Sequence, residues 1–469
     1  MTATAPPLAA RAGLEAAPEA PPQGRAQAAT VAMVVFVCVG VALRWYGLGH
    51  DALNLDESFT AMAGRRDVGN LLGFLRAYDS HPPLDYLLRA PLARSGASDA
   101  LMRVPSAVFS SAALILFAWW LRQRAWLGAI AVAFMAVSGY QLAYGREARM
   151  YALLQVLGVL SAIVATSWLA HPSRRLAGAA GAVVLVGVFD HVSGLLLAAG
   201  LLCVAGLRRD RDAWEWRVAV GAPVVLWCVA WGPALMEQSK HDHTPAPRTS
   251  FVAVADVIGH QVTREAGLTG FVLIAVAAGC AALWRLDRRR CTVVLTCGVV
   301  PLVLAALVGI ATPVLIPRFV VVTGWFVPLA LAALAVWAAK RSVVLSAAVV
   351  LVLAVLLVPT TTYALGGERP VDRAVGRLDR VVADGDVIAV SPAWLYPIVD
   401  WHLGVHRDGV ERVVTLRGFE LTHTLRLGDG PPSGRVWLLE PIDAPVDVPG
   451  TPCTRPWTDG VSRVRCLQQ

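Results

Sequence analysis

The sequence predicts an all-α polytopic membrane protein of about eleven transmembrane helices, followed by a small C-terminal α/β domain. Of its 469 residues, 56% are hydrophobic and only 16% are charged, against roughly 25% charged residues in a soluble domain. The charged residues are scarcest between residues 30 and 365, where apolar runs follow one another with short gaps. A chain of this composition requires lipid as the solvent for most of its length.

Three regions divide the chain. Residues 1–28 are rich in Ala and Pro and lack aromatic residues, which predicts a disordered cytoplasmic tail. A cleaved signal peptide is the alternative, but the apolar run that follows starts late and is long enough to span. Residues 29–365 form the membrane domain. Residues 366–469 predict a soluble extracytoplasmic domain, in which Cys453 and Cys466 can either pair as a disulfide or stay free.

The membrane domain contains eleven apolar runs that approach the length of a span, which is about 20 residues. The predicted spans are 30–47, 104–121, 126–142, 150–170, 177–190, 193–207, 218–236, 269–285, 292–311, 318–338 and 342–363.

Basic turns fix the predicted orientation, because cytoplasmic loops carry an excess of Lys and Arg. With a cytoplasmic N-terminus in a plasma (inner) membrane, every inner turn is basic and residues 366–469 lie outside. The inner turns contain Arg122 and Arg124; Arg174 and Arg175; Arg208, Arg209, Arg211 and Arg217; Arg285, Arg288, Arg289 and Arg290; and Lys340 and Arg341.

The first outer loop is expected to contain interfacial helices. Residues 84–94 are too short and too charged to span, and they place Asp85, Arg89 and Arg94 opposite an apolar face. Such a segment is typical of a helix on the outer leaflet. Similar helices are expected at 57–63 and 68–77.

Polar residues converge on the outer side of this topology. Ionisable groups at membrane depth are costly, so they mark function more often than in soluble proteins. The segments concerned are Asn54-Leu55-Asp56-Glu57-Ser58, Ser80-His81-Pro82-Pro83-Leu84-Asp85-Tyr86, Tyr144-Gly145-Arg146-Glu147-Ala148-Arg149-Met150-Tyr151, Asp190-His191 and Pro317-Arg318-Phe319.

This ordered set of motifs resembles the polyprenyl-phosphate-sugar-dependent C-type membrane glycosyltransferases. The family includes the protein O-mannosyltransferases and the bacterial aminoarabinose transferase, and the closer likeness is to its bacterial, family 39-like branch. The resemblance covers roughly residues 30–365 and is most specific over 50–155. It implies transfer of a sugar from a polyprenyl-phosphate donor to an acceptor hydroxyl on the outer face, with inversion.

The resemblance implies roles for particular residues. Asp56 is expected to be the general base, and Glu57 to orient it or to contact the acceptor. The departing phosphate needs cationic and polar groups, for which the candidates in donor-phosphate or substrate binding are His81, Tyr144, Arg146, Arg149, Tyr151, His191 and Arg318.

A divalent metal, Mg or Mn, is a possible cofactor. In several relatives a second acidic residue in the second outer loop helps an acid after the first span to hold the ion, and Asp56 with Glu147 would be that pair here. The protein mannosyltransferase branch is regarded as metal-independent, so both alternatives stay open.

Structural roles compete with these functional ones. Asp56 and Glu57 fit a helix cap, His81 with its two prolines fits a rigid turn, and Arg149 fits a residue that reaches lipid headgroups. Tyr144 and Tyr151 fit interfacial aromatic residues. His241, Asp242 and His243 have metal-like spacing in the long outer loop 237–268, which is expected to control access of donor or acceptor.

Other functions are weighed against the transferase. A transporter or flippase of lipid-linked sugars is the alternative, but its site is expected at the bilayer midplane and not at one face. No nucleotide-binding loop or nucleic-acid motif occurs. The expected partners are the polyprenyl-phosphate sugar donor, an acceptor glycan, lipid or protein, and membrane lipids.

Overall fold

The computed structural model of the chain is predominantly helical. It describes residues 23–79, 81–238, 250–263, 265–311, 316–365, 370–383, 386–390, 395–403, 413–415, 435–441, 451–458 and 462–468. The predicted tail up to residue 22 and the His241-Asp242-His243 segment lie outside these ranges.

Within the described ranges, every strand lies after residue 386, in the C-terminal domain. The helices are α1 (Gln23–Trp45), α2 (Leu55–Gly64), α3 (Val68–Tyr78), α4 (Leu84–Arg94), α5 (Asp99–Leu121), α6 (Ala125–Val137), α7 (Gly139–Arg146), α8 (Tyr151–Ala170), α9 (Arg174–Asp190), α10 (Gly194–Gly206), α11 (Arg211–Ala230), α12 (Gly232–Gln238), α13 (Phe251–Gly259), α14 (Thr269–Leu286), α15 (Arg288–Val293), α16 (Val300–Ala311), α17 (Phe326–Ala339), α18 (Val343–Leu365), α19 (Pro370–Val381) and α20 (Tyr396–Leu403).

Three further segments have 3₁₀ or π-helical geometry. They are 3₁₀ turns at Ala266–Leu268 and Pro317–Thr323 and a π-helical piece at Val294–Val299, which joins α15 to α16. The strands are β1 (Val387–Val390), β2 (Val413–Thr415), β3 (Arg435–Pro441), β4 (Thr451–Pro452), β5 (Trp457–Thr458) and β6 (Ser462–Gln468).

The predicted polytopic membrane fold is confirmed, with a smaller count of full-length spans than eleven. Seven helices of the described chain are long and apolar enough to cross a membrane, and nine spans result if two bent pairs are counted. The bent pairs are α6 with α7 and the segment Pro317–Thr323 with α17. The remaining two predicted spans correspond to α9 and α10, which have only 17 and 13 residues.

The bend between α6 and α7 has a local cause. Ser138 adopts an extended backbone and its hydroxyl accepts a hydrogen bond from the amide of Gln141, so it ends one helix and caps the next. Gly139 then packs against the backbone of Thr360 in α18, where a larger residue has no room. The chain turns by 55° at this point.

The helices between α1 and α5 form where the sequence predicts them. Two of the charged residues of the segment 84–94 face the protein interior. Asp85 and Arg89 are buried as an ion pair at 3.0 Å, and Arg89 also donates to the Met102 carbonyl and the Ser106 hydroxyl. Each charge is better satisfied by protein than by the membrane surface, because buried charges require paired and hydrogen-bonded partners.

The C-terminal domain is a small mixed sheet with two helices. The strand order is β2-β1-β3-β6-β4, with β5 also on β6; β1 is parallel to its neighbours and β6 is antiparallel. The two helices are α19 and α20. Cys453 and Cys466 form a disulfide that joins β6 to the turn after β4.

Helix α20 attaches this domain to the segment between α1 and α5. The indole of Trp401 donates to Asp99 at 2.7 Å, and Arg65 at the end of α2 pairs with the buried Asp400 at 3.2 Å. The domain therefore lies at the end of the bundle that carries α2, α3 and α4.

A close approach of two backbones positions the segment Pro317–Thr323. A Cβ atom added to Gly158 of α8 would overlap the carbonyl oxygen of Val322. Close-packed interiors tolerate such additions poorly, at a cost of about 1–3 kcal/mol.

We therefore expect Gly158→Ala to lower the thermal unfolding midpoint of the detergent-solubilised protein, because α8 must move away from Pro317–Thr323. Gly178→Ala is the matched control, since nothing lies near that Cβ position in α9 and alanine favours a helix by about 0.5–1 kcal/mol. Equal midpoints for the two variants would contradict the role assigned to Gly158.

Candidate functional site

Asp56 and Arg318 meet at the open centre of the candidate site. Asp56 lies in the first turn of α2, and Arg318 begins the 3₁₀ segment that precedes α17. Their side chains contact at 2.6 Å, and each is 38% exposed. The pair thus joins residues 262 positions apart and remains accessible to a ligand.

Glu57 is held behind Asp56 by four hydrogen-bonding groups. It closes a capping box with Asn54, in which each side chain accepts from the other residue's amide at 2.8 and 2.9 Å. Its carboxylate also accepts from both arms of the Arg103 guanidinium, at 2.7 and 2.8 Å, and from the amide of Ala148.

The surroundings of Glu57 favour a structural role. Burial raises its pKa, but the Arg103 side chain and the amides of Ala148 and Asn54 outweigh burial, so the pKa lies below its usual range. Both oxygens are occupied and the side chain is 1% exposed. Of the two roles predicted for Glu57, these contacts favour orientation of α2 and Asp56 over contact with the acceptor, and its part in catalysis stays a prediction.

Arg149 lies beneath α2. Its Nη1 donates to the hydroxyls of Thr60 and Tyr86, at 2.9 and 3.0 Å, and to the backbone carbonyl of Asp56. The residue is only 4% exposed, so it does not reach out to lipid headgroups. It places a buried positive charge directly below the turn that carries Asp56.

His81 belongs to a second acid-containing cluster beside this turn. Its Nδ1 contacts Asp79 at 2.7 Å, and the Tyr86 hydroxyl donates to the other oxygen of Asp79. Although burial raises the pKa of Asp79, the charges and hydrogen bonds of His81, Arg149 and Tyr86 bring it below its usual range. His81 is therefore held in place by an ionised carboxylate and not merely by its two prolines.

Aromatic rings connect His81 with the remaining predicted residues. The His81 and His191 rings are 4.9 Å apart, His191 lies 5.2 Å from Phe319, and Tyr151 lies 5.3 Å from Tyr144. These residues form a continuous wall, because Tyr151 also approaches His191 at 6.1 Å.

Two polar groups in this wall lack partners. The Nδ1 atom of His191 accepts from the Ser193 amide, which leaves the proton on Nε2 in the neutral ring. Burial, followed by the charges of His81, Arg149 and Arg318, lowers the pKa of His191. Neither this Nε2 nor the Tyr151 hydroxyl has a hydrogen-bond partner among the described residues.

Arg146 and Glu147 are placed differently from the prediction. The Arg146 guanidinium donates to the carbonyls of Ala364 and Tyr46, so it joins the ends of α18 and α1 and satisfies helix-terminal carbonyls. These contacts favour a structural role, and phosphate binding by Arg146 stays a prediction. Glu147 follows α7, and its carbonyl accepts from Ser106 and from the Arg149 amide.

The described residues do not form a recognisable metal site. Within them, no group of three or more His, Cys, Asp or Glu side chains is close enough to hold an ion, and Asp56 already contacts a guanidinium. The Asp56 and Glu147 metal pair stays a prediction, which turnover with and without a chelator tests.

Sequence reasoning missed Arg103, Asp79 and the buried Asp85–Arg89 pair. Arg103 also donates to the carbonyls of Leu48, Asp51 and Ala52, so one guanidinium orders the chain between α1 and α2. The sequence did offer one signal for them. A charged residue next to an apolar run usually has a specific partner in the folded protein.

An apolar groove borders the segment that carries Arg318. Its volume is about 590 Å³. Val320 packs in one cluster with Val254, Ile258, Leu302 and Ala306, and these last four also line the groove. The groove thus lies along α13, α14, α16 and α17, beside the cluster that contains Val320.

The bundle has a known class of membrane fold, that of the C-type glycosyltransferases, as the sequence resemblance implies. The match is to solved structures. No protein-family model and no curated protein matches the chain.

ArnT from Cupriavidus metallidurans is similar to this chain over nearly its whole length. In its complex with undecaprenyl phosphate the TM-score is 0.58 and the identity 14%, and the match covers 92% of this chain and 97% of ArnT. For apo ArnT the TM-score is 0.57 at 14% identity, with 94% and 98% covered. At this identity the likeness shows the fold.

Glu57→Gln is expected to destabilise the loop, because it leaves Arg103 buried without its counter-charge, at a cost of about 3–5 kcal/mol. Thermal unfolding in detergent measures the change. Glu215→Gln, which weakens only the surface ion pairs with Arg174 and Arg211, should leave the midpoint nearly unchanged.

The loss of stability caused by Glu57→Gln is expected to depend on pH. Because the folded pKa of Glu57 is depressed below 4.5, its stabilisation is complete above about pH 4.5 and is lost as pH falls through the folded value. The difference between wild type and Glu57→Gln should shrink only under acid conditions. A constant difference down to the lowest accessible pH would contradict the ionised pair.

Proposed function

We propose that this protein is a plasma-membrane glycosyltransferase that moves a sugar from a polyprenyl-phosphate donor to an acceptor hydroxyl at the outer face. The observation that carries the proposal is the accessible contact between Asp56 and Arg318, which sets a base beside a cation. The fold likeness to ArnT, solved with undecaprenyl phosphate, supports the choice of donor.

Asp56 serves as the general base in this proposal. A base must reach the acceptor hydroxyl, and the Asp56 side chain is exposed enough to meet one. The acceptor oxygen bonds to the anomeric carbon while its proton moves to Asp56. The bond from that carbon to the phosphate oxygen breaks on the opposite side, so the configuration inverts.

Arg318 stabilises the departing phosphate in this proposal. The donor phosphate is a diester with one negative charge, and it leaves as a monoester that carries more. An arginine is suited to that change because its planar donors match phosphate oxygens. Its guanidinium pairs with Asp56, and a donor phosphate at the same guanidinium would compete with that carboxylate and free it.

The aromatic wall is suited to contact the sugar. The unpartnered Tyr151 hydroxyl and His191 Nε2 supply hydrogen-bonding groups whose burial is costly without a ligand. His81 lies against the same histidine. These residues would orient the sugar while Arg149 adds positive charge from below.

The polyprenyl chain fits the apolar groove. Apolar lining favours burial of isoprene units over any polar ligand, and the groove reaches the cluster around Val320, two residues from Arg318. A phosphate at Arg318 and a chain in the groove therefore belong to one extended ligand.

Asp56→Asn is expected to lower kcat by about 10²–10⁴-fold while donor binding persists. Transfer of labelled sugar from a synthetic polyprenyl-phosphate donor measures turnover, and equilibrium binding of the same donor measures affinity. Asp51→Asn in the same loop is the control. Full turnover by Asp56→Asn would remove the base assignment, and movement of sugar-lipid without transfer would favour the flippase alternative.

Ala306→Trp is expected to raise the KM for long-chain donor by filling the groove, with little change in kcat because Asp56 and Arg318 are untouched. Ile274→Trp, on the exposed face of α14, is the matched control. An unchanged KM for Ala306→Trp, measured with donors of long and short chains, would place the lipid elsewhere.

A further inference from the structure

A second cavity lies at the far end of the helices that carry the candidate site. Tyr151 begins α8 and Asp190 ends α9 at the site, but the cavity is lined by Ala170 and His171 at the end of α8 and by Leu176 near the start of α9. Helix α5 runs between the site and the cavity. It has 23 residues, so its length is about 34 Å. The cavity is therefore on the opposite face of the bundle.

The lining of this cavity is rich in positive charge. Its volume is about 340 Å³, and Arg122, Arg289 and Arg290 line it with Gln123. Within the described chain no acidic side chain lines it. Asp287 neutralises only part of the charge, because it already pairs with Arg290 at 2.6 Å and with Arg124 at 2.8 Å.

Two buried donors in the lining have no partner. Arg290 is 9% exposed and Trp120 is 6% exposed, and neither the Nε of Arg290 nor the indole nitrogen of Trp120 donates a hydrogen bond to any described residue. Buried donors of this kind require an acceptor. An anion with several oxygens satisfies them, and a cation does not.

We propose that this cavity binds a phosphate-bearing anion. Its place at the ends of membrane helices is the level of lipid headgroups, where basic pockets between helices bind anionic phospholipids. Trp119, Ile163 and Leu176 add apolar lining, which suits the glycerol part of a phospholipid. Free phosphate shares the charge but gains nothing from that lining.

The test titrates the full-length protein in neutral detergent with three probes and follows its thermal unfolding midpoint. The probes are dihexanoyl-phosphatidylglycerol, dihexanoyl-phosphatidylcholine and inorganic phosphate. Phosphatidylglycerol should raise the midpoint in wild type. The double variant Arg122→Gln/Arg289→Gln should weaken its apparent affinity at least about tenfold, as expected for lost charge-assisted hydrogen bonds.

Arg288→Gln is the matched control, because Arg288 neighbours Arg289 but does not line the cavity; its response should equal that of wild type. If the double variant fails to fold, Gln123→Glu replaces it, since a negative charge on the lining repels the same ligand without removing an arginine.

Each outcome decides the proposal. A response to phosphatidylglycerol alone identifies a lipid headgroup, and an equal response to inorganic phosphate that the variant abolishes identifies a soluble phosphate. An equal response to phosphatidylcholine, an equal loss in Arg288→Gln, or no response to any probe overturns the site.

Discussion

The carboxylate of Glu57 is the contact on which the candidate site depends. It joins three separate pieces of chain: the cap of α2 at Asn54, the start of α5 at Arg103, and the turn at Ala148. A single buried anion thereby fixes the direction of α2, and with it the position of the Asp56 carboxylate. Because an unpaired charge in this environment is costly, the three pieces order together or not at all.

The sequence was sufficient for the class of fold and for much of its outline. Apolar runs located the long helices, and the charged segment 84–94 was recognised as too short to span. What it did not provide was the partner of each charge. Asp85 and Arg89 have the spacing of a surface helix, but they turn inward because Met102 and Ser106 supply hydrogen-bond partners there. Such partners are a property of tertiary packing and leave no periodic signal.

The same limit explains the candidate site. Asp56, Arg149 and Arg318 stand out as charges beside apolar runs, so they were identified individually. The sequence could not show which of the two adjacent acids is buried, since the contacts of Glu57 with Arg103 and of Asp56 with Arg318 arise from tertiary packing. The same holds for Arg146: its neighbours in sequence are candidate site residues, but its hydrogen-bond acceptors are helix ends.

The contacts of helix α20 limit the sequence changes that the C-terminal domain can accept during evolution. Trp401 and Asp400 contact Asp99 and Arg65 on the membrane domain, so the C-terminal domain is a neighbour of the helix that carries Asp56. A domain exchanged between distant relatives by recombination would have to bring a helix with the same two contacts. Its sheet, by comparison, is free to change in length or connection without disturbing that boundary.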